Sequence, residues 1–416
     1  MKNPAHHFPA TRREFLQLGA KGAGLLAFSR FAPAFPVESA FAQAPAPEKD
    51  RTILVLVQLA GGNDGLNTIV PYADPNYRRL RPTLGLPPEH LLKLNDSLAL
   101  NGACGAMHEL LKNGKLGIVQ NVGYPNPNRS HFRSTEIWET ASESNEFLPT
   151  GWLGRFFDNG CAGAPAGGDP CGVNISNEVP QSFSSEHQHT TFSIAVNNRN
   201  RRQQSDNLAL LEQMVRTPAD HDDQANAGYL RHTMMDTLVT EKIIQKVLGD
   251  YQTTADYPVT PFANSLRNVA ALIAAGTATR VYYVSLTGFD THNNQANTHA
   301  NLLKNLSEGL AAFQQDLESK LLDSQVITMT FPEFGRRPSE NESRGTDHGT
   351  SAPLFVLGSR IKPGLHGRAP SLQLERNQDM QHSTDFRQVY ATLLDKWLGC
   401  PAAKVMGKPF PSMDIC

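Results

Sequence analysis

The stretch GFDTH places Asp290 and His292 two residues apart, directly after an apolar run. Four other short stretches carry similar side chains: GGNDG with Asn63 and Asp64, PEFGR with Glu333, GTDHG with Asp347 and His348, and HSTDF with His382 and Asp385. A sixth, NRSHF, holds Ser130 and His131, with Ser134 just beyond. Each alone reads equally well as a turn or a helix cap. Together they put carboxylates and imidazoles at one recurrent place. Several acids on one rim would repel and raise each other's pKa, and a divalent cation relieves that repulsion. A mixed Asp/Glu/His set suits zinc or manganese, as one or two ions, better than calcium. His299, seven residues after His292, opens the next helix and is read as a bystander.

The recurrent place is the end of a strand. TILVLVQLAGG (52–62), LGIVQNVG (116–123), VYYVSL (281–286), VITMTF (326–331) and PLFVLG (353–358) are short β-branched and leucine-rich runs of the kind buried on both faces. Helical stretches lie between and around them: AMHELLKNGK, PFANSLRNVAALIAAG with proline in its first turn, and HANLLKNLSEGLAAFQQDLESK with leucines three and four apart. DFRQVYATLLDKWLG closes the series, with Asp385 placed to cap it. Strand and helix in alternation predict an α/β fold with a mostly parallel sheet covered on both faces. Ligands of such sheets gather at the carboxyl ends of the strands. Residues 145–205 read as long loops with short strands such as TFSIAV, and 206–251 as a helical insertion; together they place insertions at about 145–255 in a single domain spanning 45–416.

The first 44 residues read as an export signal. TRREFLQLGA has Arg12 and Arg13 before a weakly apolar stretch, and SAFAQA supplies small residues for cleavage after Ala42 or Ala44. This resembles a twin-arginine leader, which carries folded, often cofactor-loaded, proteins to the periplasm. Lys21 and Arg30 leave the apolar stretch too short and too charged to span a bilayer as a transmembrane helix. The net charge is −2 with no basic stripe, which argues against nucleic acid as a partner. Among five cysteines, Cys161 and Cys171 flank a Gly/Pro loop and are the first candidate disulfide; Cys400 with Cys416 is the second, leaving Cys104 free. No CxxC spacing occurs, so a zinc knuckle is disfavoured.

LVQLAGGNDGLNTIVPY, NRSHF, GFDTH, PEFGR and GTDHG, in that order behind such a leader, resemble the bacterial family catalogued as domain of unknown function 1501. That family is similar to the alkaline phosphatase and sulfatase superfamily. The resemblance implies a three-layer α/β sandwich with a metal site at the strand ends. It implies as metal ligands Asp64, Asp290, His292, Glu333 and His348. Two departures stand out: alkaline phosphatases show Asp-x-x-x-His where this chain has Asp290-Thr-His292, and an Asp-His pair where it has Glu333-Phe334. The sulfatase motif Cys-x-Pro-x-Arg is absent.

The superfamily chemistry is displacement at phosphorus or sulfur, with a hydroxyl nucleophile activated by a metal ion. Ser130 holds the corresponding place, or serves as a helix N-cap, with Ser134 in reserve. Arg129 or Arg133 would grip an anionic oxygen. The resulting expectation is a periplasmic metal-dependent hydrolase of small phosphate or sulfate esters. The alternative is a non-catalytic, metal-stabilised binding or scaffold protein with a periplasmic partner. A Ser-His-Asp hydrolase is a distant third, since no G-x-S-x-G elbow occurs. Oligomeric state is left open.

Overall fold

Strand β1 (Ile53–Ala60) buries side chains on both of its faces, as its five consecutive apolar residues from Ile53 to Val57 require. Ile53, Val55, Val57 and Leu59 point into one apolar cluster, and Leu54 and Leu56 into another, following the two-residue period of a strand. Fully burying a side chain of this size contributes about 1.5–3 kcal/mol, so β1 is the axis of the core. The computed structural model describes residues 51–160, 170–194 except 177 and 188, and 243–416 except 376 and 377.

The remaining strands are β2 (Ile69–Val70), β3 (Leu91–Lys93), β4 (Ala99–Asn101), β5 (Leu116–Gly123), β6 (Gly172–Ile175), β7 (Thr191–Ser193), β8 (Val281–Thr287), β9 (Val326–Pro332), β10 (Ala352–Leu357), β11 (Gly364–His366) and β12 (Thr384–Asp385). Nine of the twelve form one sheet in the order β11-β5-β10-β9-β1-β8-β6-β7, with β12 also paired to β5. β1 runs parallel to both neighbours: Val57 faces Val284 of β8 and Thr330 of β9. Strands β2, β4 and β3 make a small antiparallel sheet beside it.

One strand breaks the expected pattern. β10 is antiparallel to both β5 and β9. Its link to β9, residues 333–351, holds no helix, and a parallel return would need a crossover. The N-terminal end of β10 therefore shares a rim with the C-terminal ends of β5, β9, β1 and β8.

Helices cover both faces. α1 (Pro75–Leu80) lies beside the small sheet, with Tyr77 and Leu80 in a third apolar cluster. α2 (Gly105–Lys112), α5 (Pro261–Ala274) and α6 (Gln295–Ser319) supply one layer. α3 (His131–Thr140), α4 (Trp152–Asp158), α7 (Phe386–Thr392) and α8 (Ala402–Met406) supply the other. Pro261 sits in the first turn of α5, and Asp385 caps α7 by accepting from Arg387 N. α6 begins four residues earlier than its leucine spacing indicated, so His299 lies inside it and is buried. The mixed α/β architecture is the one expected.

Neither proposed disulfide forms. Cys171 is a buried free thiol, Cys416 is also free, and Cys400 is disulfide-bonded. Cys161, the residues read as a leader (1–44) and most of the 206–251 segment lie outside the described residues. No helix among the described residues is long and apolar enough to cross a membrane.

Candidate metal centre

Four loops meet where β5, β10, β9, β1 and β8 open onto one rim. Their close approach depends on glycine: a Cβ on Gly61 (φ +105°) would stand 2.3 Å from the Asp290 nitrogen, and one on Gly345 would stand 2.2 Å from the His292 carbonyl carbon. The loop after β8 brings Asp290 and His292. The start of α3 brings His131, and the segment before β10 brings His348.

Three imidazoles point the same way. His348 Nδ1 donates to the Arg129 carbonyl at 2.7 Å. His131 Nδ1 donates to Glu333 Oε2 at 2.6 Å, and His292 Nδ1 to Asp347 Oδ1 at 3.1 Å. Each Nδ1 thus carries a hydrogen, which leaves Nε2 as the inward-facing nitrogen of each ring, a lone-pair donor wherever the ring is uncharged. All three Nε2 atoms face Asp290: His292 at 3.1 Å and His348 at 3.2 Å from Oδ1, and His131 at 3.6 Å from Oδ2. His292 Nε2 and His348 Nε2 are themselves 2.9 Å apart. Lone pairs brought together beside a carboxylate call for a cation. Ligand atoms about 2.0–2.1 Å from a tetrahedral zinc lie roughly 3.3 Å from one another, close to these spacings. His131, Asp290 and His348 each offer a ligand atom, all within 4.8 Å of one another.

Arg336 sets the carboxylate in place. This fully buried guanidinium donates to Asp290 Oδ1 at 2.7 Å, and to the carbonyls of Gly62, Thr346 and Phe289 and of Gly61. Burial would raise the Asp290 carboxyl, but the bond and charge of Arg336 hold it below its ordinary value. Burial pushes the His348 imidazole down, which favours the neutral, ligating form.

Several expected residues stand elsewhere. Asp64 is sealed in a buried ion pair: Oδ2 lies 2.6 Å from Arg81 Nη1 and Oδ1 lies 3.0 Å from Arg81 Nη2, and Gln295 Nε2 also donates to it. Burial works to raise this carboxyl, yet Arg81 outweighs it and brings the pKa down to about 2. With both oxygens taken, Asp64 braces the loops rather than facing the cluster. Glu333 is one step back from where a ligand would be: Oε1 accepts from Gly61 N at 2.9 Å and Oε2 holds His131. Such a carboxylate behind a histidine fixes the ring and its tautomer. Arg133 does not face the hollow either; it pairs with Glu136 at 2.7 Å and binds the carbonyls of Glu143 and Ser144.

Ser130 is exposed and occupies the N-cap of α3 without a capping side-chain bond. It lies in the chain between Arg129, whose carbonyl holds His348, and His131. Ser134 is buried and bonded to Tyr124 and to the Glu333 carbonyl, which removes it as a reserve nucleophile. His299 is buried against Asn63 at 2.9 Å, and burial lowers its pKa to about 4. His382 and Asp385 sit beside β5, where Asp385 caps α7.

The cluster opens onto a hollow of about 380 Å³ lined by Arg129, His292, Arg337, Asp347 and His348. Sequence reasoning missed Arg336 and Arg337, although both follow PEFG directly and two cations beside a predicted acid are a usable signal.

A family model described as "Protein of unknown function (DUF1501)" matches residues 51–406. The chain belongs to the DUF1501 family. No curated protein matches this DUF1501 chain. Among solved structures, it is similar to Ps i-CgsB in complex with k-i-k-neocarrahexaose, at 10% identity and a TM-score of 0.38, over 86% of this chain and 73% of that one. It is similar to the zinc complex of the C-terminal periplasmic domain of EcEptC from Escherichia coli, at 11% identity and a TM-score of 0.37, over 76% and 75%. A protein in the alkaline phosphatase superfamily from Vibrio parahaemolyticus matches at 10% identity and a TM-score of 0.36, over 97% and 80%.

Proposed function

We propose that this DUF1501 protein is a divalent-metal-dependent hydrolase of phosphate or sulfate esters, exported through its twin-arginine-like leader. The observation that carries the reading is the convergence of three Nε2 atoms on the Asp290 carboxylate at the edge of an arginine-lined hollow. Asp290, His348 and His131 would hold the ion, with His292 as a further candidate ligand beside Asp290 and His348, and their chemistry fits zinc or manganese. Glu333, Asp347 and the Arg129 carbonyl keep the three rings in the ligating tautomer.

A bound divalent ion would supply a Lewis acid and lower the pKa of a hydroxyl beside it. Ser130 would present that hydroxyl, placed by the first turn of α3. The exposed hollow admits an anionic ester, and Arg129 offers a positive wall for its non-bridging oxygens. Arg336 keeps Asp290 ionised and fixed.

The test is turnover by metal-loaded protein across aryl phosphates, phosphate diesters and sulfate esters. Wild type should hydrolyse one class, and Ser130→Ala should abolish that activity while keeping its metal. Full activity in Ser130→Ala would remove the serine mechanism. A rival reading, a scaffold braced by a structural ion, draws on Arg336, which ties the loops after β1 and β8 to the segment before β10. It predicts metal-dependent stability and no turnover of any ester.

A further inference from the structure

On the wall of the hollow, two arginines share one carboxylate. Arg129 Nη1 lies 3.0 Å from Asp379 Oδ2, and Arg337 Nε lies 3.5 Å from Asp379 Oδ1. Both arginines are tied to the histidine cluster through their backbones. The Arg129 carbonyl takes His348 Nδ1 at 2.7 Å, and Arg337 N donates to the Asp347 carbonyl at 2.9 Å. The Arg337 carbonyl also accepts from buried Arg81 at 2.9 Å. The backbone positions that carry the two guanidinium groups are therefore fixed beside the cluster.

Asp379 comes from a stretch distant in sequence but firmly seated. Its neighbour Met380 packs in the third apolar cluster and accepts from Thr350 Oγ1, and the Gln381 carbonyl accepts from Asn121 at 2.9 Å. Yet its carboxylate fills the space between the arginines poorly. Oδ1 is buried without a hydrogen bond, and only Oδ2 is bonded, to one nitrogen of Arg129. A guanidinium offers five donors in a planar fork that matches two oxygens at once. A tetrahedral oxyanion would use that fork more fully than Asp379 does.

We infer that Arg129 and Arg337 form a clamp for a sulfate or phosphate group of the substrate, and that Asp379 occupies the clamp as an internal competitor which the substrate must displace. This rests on the ester-hydrolase reading and adds Arg337 and Asp379 as residues that set which anions enter. An exposed clamp without Asp379 would attract any anion. With it, only a group that engages both arginines replaces the resident carboxylate.

The experiment is calorimetric titration of the full chain with inorganic phosphate and, separately, inorganic sulfate, in metal-loaded and chelator-treated forms. Wild type, Asp379→Asn, Arg337→Gln and the double variant are compared, with metal content and thermal melting followed in parallel. Asp379→Asn, which preserves shape and removes the charge, should bind the preferred anion at least fivefold more tightly than wild type. Arg337→Gln should bind it at least fivefold more weakly, and the double variant should lose the gain. The anion bound more tightly names the ester class. Affinity in Asp379→Asn equal to or below wild type would overturn the inference, since Asp379 would then merely position the arginines. Unchanged affinity in Arg337→Gln would overturn it too. The metal reading fails separately, through absence of metal from wild type, because the order of anion affinities is also read without the ion.

Discussion

His292 Nε2 and His348 Nε2 stand 2.9 Å apart, while Nδ1 of each ring donates to an oxygen on its far side. With Nδ1 so engaged, two uncharged imidazoles would present lone pairs to each other. The Asp290 carboxylate adds negative charge at 3.1 and 3.2 Å. Only a proton or a metal ion between them makes the arrangement favourable, and a third Nε2, from His131, faces the same carboxylate.

Glu333→Ala should weaken metal binding about 10- to 100-fold without abolishing it, the usual cost of losing a carboxylate behind a ligating histidine. Glu333→Gln, which keeps an acceptor for His131 Nδ1, should lose less. A chelator competition titration measures both. Complete loss of metal in Glu333→Gln would indicate that Glu333 is itself a ligand.

Asp64→Ala should destabilise the fold and spare the metal. It leaves Arg81 buried without its partner, a change that typically costs about 3–5 kcal/mol. Urea unfolding of the folded variant gives the stability, and elemental analysis gives the metal. Replacing Arg81 by Met in the same chain should recover part of the loss. Metal lost along with unchanged stability would reverse the assignment.

Acid should destabilise the protein through His299. Its folded pKa, lowered by burial from 6.5 to about 4, lies below the unfolded value. The unfolded chain therefore takes up a proton that the folded chain refuses as the pH falls from about 6.5 to 4. Stability present above this window is lost within it, by about 3 kcal/mol. His299→Gln should show a shallower fall across the same range in urea unfolding, and an identical slope would contradict the account.

The strands that build the rim were legible because each is a short, mostly apolar run, and β5 spans the residues its sequence marks. Asp290, His292 and His348 were legible as chemistry-bearing residues at such ends. The direction of β10 was not. Nothing in PLFVLG distinguishes a strand entering the sheet from below or above; the missing helix in 333–351 decides it, and that places His348 on the rim. The buried pairing of Asp64 was not legible, because its partner, Arg81, lies seventeen residues away just past a short helix, beyond any local pattern. His131 was legible as one more imidazole at a strand end, but its place in the cluster was not. Its role depends on Glu333, two hundred and two residues further along the chain.

The most direct test is the metal content of the purified protein, measured for wild type, Asp290→Ala and Asp64→Ala after dialysis against zinc or manganese and removal of the free ion. The account predicts bound metal in wild type and in Asp64→Ala, and none in Asp290→Ala. Metal-free wild type, or Asp290→Ala with the wild-type metal content, would contradict it.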